Sequence, residues 1–186
     1  SVLSRGLGDV YKRQDQGNWK VFVNYKIKNI SKENFKNYGD LITTSNKNYE
    51  SINKNTTDSF FDLANIQIIG DDKRSRLNIF QAKKRNFPLK INMLENHPFS
   101  SQVFLPFNAT GFLVLVAPIG NKPKIDLIEI FKVSGGDGIN FNPKVWHFPL
   151  ISLENEKYIT IDKKDADNNI EIYNFEQSEI FELNYE

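Results

Sequence analysis

MLENHPFSSQVFLP (residues 93–106) reads as a strand, a turn and a second strand. Glu95 and His97 stand two apart, and residues i and i+2 of a strand project from the same face. Pro98, Phe99, Ser100 and Ser101 make the turn, and Gln102 returns on the second strand. The chain has two histidines. His147 lies in GGDGINFNPKVWHFPL (residues 135–150), another short β segment flanked by turns. If the two segments are neighbours inside a barrel, a carboxylate, two imidazoles and an amide converge.

The composition sets the frame for that site. The chain has 186 residues, 39% of them hydrophobic, and a mean hydropathy of −0.49. That suits one globular domain with a real core, not a disordered or membrane chain. No apolar run approaches the ~20 residues that span a bilayer. The net charge of +1, with acids and bases intermixed, gives no electrostatic case for nucleic acid or an anionic membrane as partner. With no cysteine, thiolate metal sites and thiol nucleophiles are excluded. The N-terminus lacks the apolar stretch of a secretory signal, so a cytoplasmic location is expected.

The first fourteen residues, SVLSRGLGDVYKRQ, resemble translated adapter sequence and are set aside as a scar, leaving residues 15–186 as one domain. Residues 19–30 alternate apolar and polar and predict a strand. Ser31 is an N-cap candidate for a short helix over residues 32–41, broken by Gly39. Residues 43–58 are polar and Asn-rich and predict a loop. Residues 60–69 are apolar, and Gly70, Asp71 and Asp72 turn. Residues 77–82 predict a strand, followed by a basic loop of Lys83, Lys84 and Arg85. That loop reads as solvated, with anion capture at a pocket rim as its functional alternative.

From residue 89 on, short strands recur: 89–94, 102–105, 112–117, 125–133, 139–141, 146–149, 157–162, 171–173 and 180–183. FLVLVA (residues 112–117) is continuously apolar, which predicts burial on both faces. Short strands spaced by Gly, Pro and Asn turns predict a mainly β sandwich or barrel.

Several motifs resemble the ureidoglycolate lyase family. They are Leu94-Glu95-Asn96-His97-Pro98, Ser101-Gln102-Val103-Phe104-Leu105-Pro106, FLVLVA, Gly138-Ile139-Asn140-Phe141, Val145-Trp146-His147-Phe148-Pro149-Leu150 and Ile161-Asp162, with FKNYGD (residues 35–40) and Asp62-Leu63-Ala64 upstream. Together they cover residues 26–183. The resemblance implies a cupin-like β-barrel (a double-stranded β-helix) with one or two short helices near the N-terminus. It also implies a homodimer that splits ureidoglycolate into glyoxylate and urea in allantoin breakdown. The pattern resembles the cupin metal set, with Glu95, His97, Gln102 and His147 as ligands of one divalent ion.

The chain departs from the family at points that bear on the substrate. Ser59-Phe60-Phe61 stand where members carry Arg-Tyr-His, Gln81 where they carry arginine, Phe141-Asn142 for Tyr-His, and His147-Phe148-Pro149 for His-His-Pro. The lost arginines are natural carboxylate anchors.

The reaction is an elimination: a base takes the hydroxyl proton, and an acid protonates the departing urea nitrogen. His97 and His147 are the candidate bases, with Glu95 orienting one of them or serving as the acid. The metal role competes, because a metal-bound imidazole is not free to act as a base. Gln102, Trp146, Asp162 and Phe141 are the candidate substrate-binding residues. Trp146 also reads as core, and Asp162 as a turn cap.

The apolar exchanges allow an alternative, a related lyase acting on another small carboxylate such as dimethylsulfoniopropionate. Phe60, Phe61, Phe141, Trp146 and Phe148 would then wall the sulfonium by cation–π attraction. A barrel that binds a small carboxylate without catalysis is the non-enzymatic alternative. These readings divide on whether His97 and His147 face the same side of the wall.

Overall fold

A computed structural model describes residues 10–15, 18–23, 25–164 and 168–185. The described residues are mainly β, as the sequence predicts. A hairpin of β1 (Val10–Asp15) and β2 (Asn18–Val23) comes first. It takes in residues 10–14 of the segment set aside above; residues 1–9 lie outside the described residues. The strand expected over 19–30 is two strands. After β2, Tyr25 is buried against Phe181, ring centroids 4.4 Å apart, and β3 (Ile27–Asn29) takes a different partner.

Ser31 caps α1 (Lys32–Phe35) as expected. Its Oγ accepts from the Asn34 N–H at 3.3 Å, and its own N–H donates to Asn34 Oδ1 at 2.8 Å. The helix is a single turn and does not reach residue 41. The chain leaves it into β4 (Gly39–Ile42), which pairs with residues 138–141. Gly39 sits at φ +153°, and a Cβ on it would lie 1.8 Å from the Asn140 carbonyl oxygen. The glycine therefore serves a close strand crossing, not a helix stop.

The expected loop over 43–58 contains an exposed hairpin, β5 (Glu50–Ile52) and β6 (Thr57–Ser59). Asn53, Lys54 and Asn55 turn it with φ of 50°, 59° and 67°. Asparagine tolerates that left-handed region, so the Asn-rich stretch encodes a turn as well as a loop. The apolar stretch 60–69 forms no strand, only a bridge between Ile68 and Ser100.

The remaining strands are β7 (Ser75–Ala82), β8 (Leu89–Ile91), β9 (Met93–Asn96), β10 (Gln102–Pro106), β11 (Phe112–Ala117), β12 (Glu129–Val133), β13 (Gly138–Phe141), β14 (Trp146–His147), β15 (Ile151–Ser152), β16 (Glu156–Lys163), β17 (Glu171–Asn174) and β18 (Phe181–Leu183). A 3₁₀ turn over Ile125–Leu127 replaces the first part of the strand expected from 125. The strand expected over 89–94 breaks at Asn92, so that β8 pairs with β18 while β9 pairs with β17 and β14.

Two sheets form the body. One runs β4-β13-β10-β16-β7, and the other runs β17-β9-β14-β11-β12-β3, with β15 also on β11. β3 and β12 are parallel; the other pairs are antiparallel. Every residue of β11 is buried. Leu113, Leu115 and Ala117 join a cluster with Trp146, Ile151 and Phe181. Phe112, Val114 and Val116 join a second cluster with Phe35, Phe104, Ile139 and Tyr158, which ties the two sheets together. This arrangement fits the expected cupin-like barrel.

Substituting Gly39→Ala forces the Cβ into the Asn140 carbonyl. It is expected to lower unfolding stability by about 2 kcal/mol or more, read as a reduced midpoint in urea at unchanged m-value.

Candidate active site

The pairing of β9 with β14 builds the site. Glu95 is the register partner of His147, and directly opposed residues of an antiparallel pair project from one face. His97 follows Glu95 by two residues and shares that face. The Lys144 N–H donates to the His97 carbonyl at 3.0 Å, which ties the β9 end to the loop before β14. The donor atoms of Glu95, His97 and His147 all lie within 4.8 Å of one another. His147 Nε2 is 3.7 Å from Glu95 Oε1, and the two imidazole centroids are 5.3 Å apart. The histidines therefore face the same side of the wall.

Backbone carbonyls set both tautomers. His97 Nδ1–H donates to the carbonyl of Asn169 at 2.6 Å, and His147 Nδ1–H to the carbonyl of Val145 at 2.9 Å. A carbonyl only accepts, so each neutral ring carries its proton on Nδ1 and its lone pair on Nε2. Both Nε2 atoms are buried and, among the described residues, have no hydrogen-bond partner. Two lone pairs and a carboxylate thus share one space.

Burial sets the electrostatics. The His147 pKa is pushed down to about 3, first by desolvation and then by the nearby His97 charge, with the Val145 carbonyl opposing. Burial also raises the Glu95 carboxyl, against the attraction of His97. The Glu95–His147 contact is therefore a carboxyl beside a neutral imidazole, not an ion pair.

Phe141 stacks on His147, with ring centroids 4.2 Å apart and planes 15° apart. Gln102 is the register partner of Phe141 and shares its face. Its Oε1 is buried and unpartnered among the described residues. A narrow apolar cavity lies beside this wall, lined in part by Phe104, Ile139, Phe141 and Leu150.

The other expected residues stand outside the Glu95–His97–His147 cluster, although Phe148 lines the cavity beside Phe141. Trp146 precedes His147 on a strand and so points to the opposite face. It packs in the first cluster and donates Nε1–H to the Gly120 carbonyl at 2.9 Å. The structure places it as core. Asp162 is buried and paired with Arg76, Nε to Oδ1 2.7 Å. It follows Ile161, the partner of Val103, and so lies beside Gln102 in the inward row but outside the Glu95–His97–His147 cluster. Of the five aromatics expected as a sulfonium wall, Phe141 alone stacks on a triad side chain. Phe61 is exposed, and Phe60 packs on Tyr49 with centroids 5.7 Å apart. Phe148 belongs to the first cluster and carries the Arg85 guanidinium 5.9 Å from its ring centre.

The Asn169 and Val145 carbonyls were not legible beforehand. A main-chain acceptor has no residue signature, and Asn169 sits in a stretch with no periodicity. Two fixed lone pairs and a carboxylate of raised pKa can hold a cation or pass a proton.

Comparison with known proteins finds relatives over most of the chain. The family model described as ureidoglycolate lyase matches residues 23–182. Proteins named ureidoglycolate lyase from Pseudomonas aeruginosa and Pseudomonas paraeruginosa are each 35% identical over 155 residues, covering 83% of this chain and 92% of theirs. One from Pseudomonas putida is 32% identical over 159 residues, covering 85% of this chain and 95% of its own.

The depressed pKa gives a direct test. The His147 ring signals in an NMR titration are expected to stay flat from neutral pH down to about pH 4, whereas an ordinary histidine titrates near 6.5. By linkage, the unfolded chain takes up this proton and the folded chain does not. The His147 contribution to stability is therefore complete above pH 6.5 and declines as the pH falls toward 3. A His147 midpoint near 6.5 contradicts the buried placement.

Proposed function

The chain belongs to the ureidoglycolate lyase family, and on that premise we propose that it cleaves ureidoglycolate to glyoxylate and urea, a step of allantoin and purine catabolism, as a cytoplasmic enzyme. The observation that carries the reading is the clustering of His97 and His147 with the Glu95 carboxyl, ligand atoms within 4.8 Å of one another, while both imidazole Nε2 atoms lack a partner among the described residues.

In the elimination, the substrate hydroxyl loses its proton and its O–H electrons become the new C=O bond. The C–N bond breaks onto the urea nitrogen, which takes up a proton. His97, half-buried, with Nδ1 held by the Asn169 carbonyl and Nε2 left unpartnered among the described residues, receives the hydroxyl proton on Nε2. Glu95 binds its proton more tightly than an ordinary glutamate and delivers one to the leaving nitrogen. With its pKa near 3, His147 stays uncharged and accepts a hydrogen bond from the substrate. Phe141 holds the His147 ring plane and excludes water from that side.

The same donor set fits one divalent cation. Glu95, His97 and His147 would hold it, with the unpartnered Gln102 amide oxygen, on the other sheet in the row of the Phe141 that stacks on His147, as the fourth donor. The Nδ1–H bonds to carbonyls are the outer shell that metal-binding histidines use. When bound, such an ion supplies Lewis-acid polarisation of the substrate oxygens. An imidazole that holds it carries no substrate proton, so the two uses exclude each other at His97.

What supports a homodimer is an apolar stripe on the outer face of the β7–β16 pair. There Leu77 faces Ile161 and Ile79 faces Ile159, with Leu77 65% and Ile79 58% exposed. A stripe of this kind marks an association surface. Leu77→Lys is expected to shift the chain toward monomer in analytical ultracentrifugation, and a wild-type monomer overturns the dimer.

The activity test uses purified protein and ureidoglycolate, with glyoxylate and urea as the readout. His97→Ala and Glu95→Gln are each expected to lower kcat/KM by about 100-fold or more. Wild-type activity in His97→Ala removes the assigned base. Dimethyl sulfide released from dimethylsulfoniopropionate, with no glyoxylate formed from ureidoglycolate, moves the substrate to the sulfonium class.

A further inference from the structure

We propose that Asn169 is a positioning residue that locks the His97 ring and its turn, so that the Nε2 lone pair faces Glu95 and His147. The consequence for activity rests on the lyase reading above; the positioning itself does not.

Three bonds leave this one residue, all toward the segment that carries His97. Its carbonyl accepts from His97 Nδ1–H at 2.6 Å. Its Oδ1 accepts from the Phe99 N–H at 2.7 Å. Its Nδ2 donates to Ser100 Oγ at 2.8 Å. Asn169 is 3% exposed and Ser100 1%, so losing any of these bonds strands a buried polar group. Ser100 Oγ also accepts from the Lys163 N–H at 3.3 Å, which joins the turn to the end of β16. On the other side, the Ser101 N–H donates to the Gln67 carbonyl at 2.9 Å and the Ile69 N–H to the Phe99 carbonyl at 2.8 Å. The turn is thus clamped from two sides, and Asn169 also bonds the imidazole itself.

The side chain and the carbonyl have different tasks. The amide fixes the place of residue 169 against the turn, and the carbonyl then fixes the tautomer. The amide uses an acceptor on one end and a donor on the other. Aspartate keeps the acceptor for Phe99, and the Ser100 hydroxyl can rotate to donate to its second oxygen. Alanine keeps the carbonyl and loses the latch, so the carbonyl is no longer held 2.6 Å from Nδ1. His97 is then free to place its proton on Nε2. That atom would donate into the triad instead of accepting there, and it would no longer serve as base or ligand. His147 is held separately by Val145 and gives an internal reference in the same molecule.

The experiment is a long-range ¹H–¹⁵N correlation spectrum of the full chain in EDTA at about pH 9, where imidazoles are neutral. The readout is which ring nitrogen of each histidine carries the proton. The wild type is expected to show both histidines as Nδ1–H. Asn169→Ala is expected to show His97 as a mixture with Nε2–H while His147 stays unchanged. Asn169→Asp should restore the single Nδ1–H form. In parallel, Co²⁺ affinity and kcat/KM of Asn169→Ala should each fall about 10- to 100-fold and recover in Asn169→Asp.

A single Nδ1–H form at His97 in Asn169→Ala, with His147 also intact, overturns the proposal. If the alanine variant loses the His147 signal through misfolding, Asn169→Ser takes its place. Serine keeps an acceptor near Phe99 and drops the bond to Ser100; a partial tautomer mixture supports the latch, and none overturns it. A tautomer shift in a protein whose wild type is silent toward ureidoglycolate overturns the lyase reading and leaves the positioning role standing.

Discussion

Because Phe112–Ala117 is buried along its whole length, β11 must be covered on both faces, and the rest of the architecture answers that demand. Its odd-numbered residues take the cluster shared with β8 and β18, and its even-numbered residues take the space between the two sheets. Burying a side chain of this kind contributes about 1.5–3 kcal/mol, so one strand anchors two layers. β14 pairs with the end of β11, Val116 with His147 and Ala117 with Trp146. The alternation that sends Val116 inward sends His147 inward too. The site is a consequence of how the core strand is covered.

Polar groups are admitted to that interior on strict terms. Buried polar atoms are normally paired, and most here are: Asp162 with Arg76, Glu156 with Asn108 and Thr110, and Asn140 Nδ2 with Asp40 and Asn65. Among the described residues six buried side-chain atoms lack a partner, and the Nε2 atoms of His97 and His147 and the Oε1 of Gln102 are three of them, beside Arg85 Nε, Asn96 Oδ1 and Asn140 Oδ1. The histidine and glutamine atoms lie on the faces that meet at Phe141 and Glu95. Unpaired lone pairs gathered in one place cost stability, a cost that functional sites commonly carry.

The same desolvation drives His147 and Glu95 in opposite directions, one toward losing its proton and the other toward keeping it. Environment thus divides roles between neighbouring groups whose ordinary pKa values differ by only about two units. The carbonyls of Asn169 and Val145 add the direction of each ring. Chemistry at this site depends on the backbone as much as on side chains.

Local sequence carried the strand–turn–strand at residues 93–106, the two-sided burial of FLVLVA, the Ser31 cap and the shared face of Glu95 and His97, because each follows from periodicity or short-range bonding. It also carried the family. The single-turn length of α1 and the break at Asn92 it did not carry, since both depend on which strand the chain meets next. Trp146 reads from its sequence as core more readily than as wall, and the register with Ala117 sends it away from His147. Asn169 lies 72 positions from His97 along the chain, and no local pattern could link a carbonyl there to a ring. Sequence fixes which groups a chain owns and their nearest geometry, whereas the meeting of distant groups is decided by strand pairing, because pairing alone sets which faces they share.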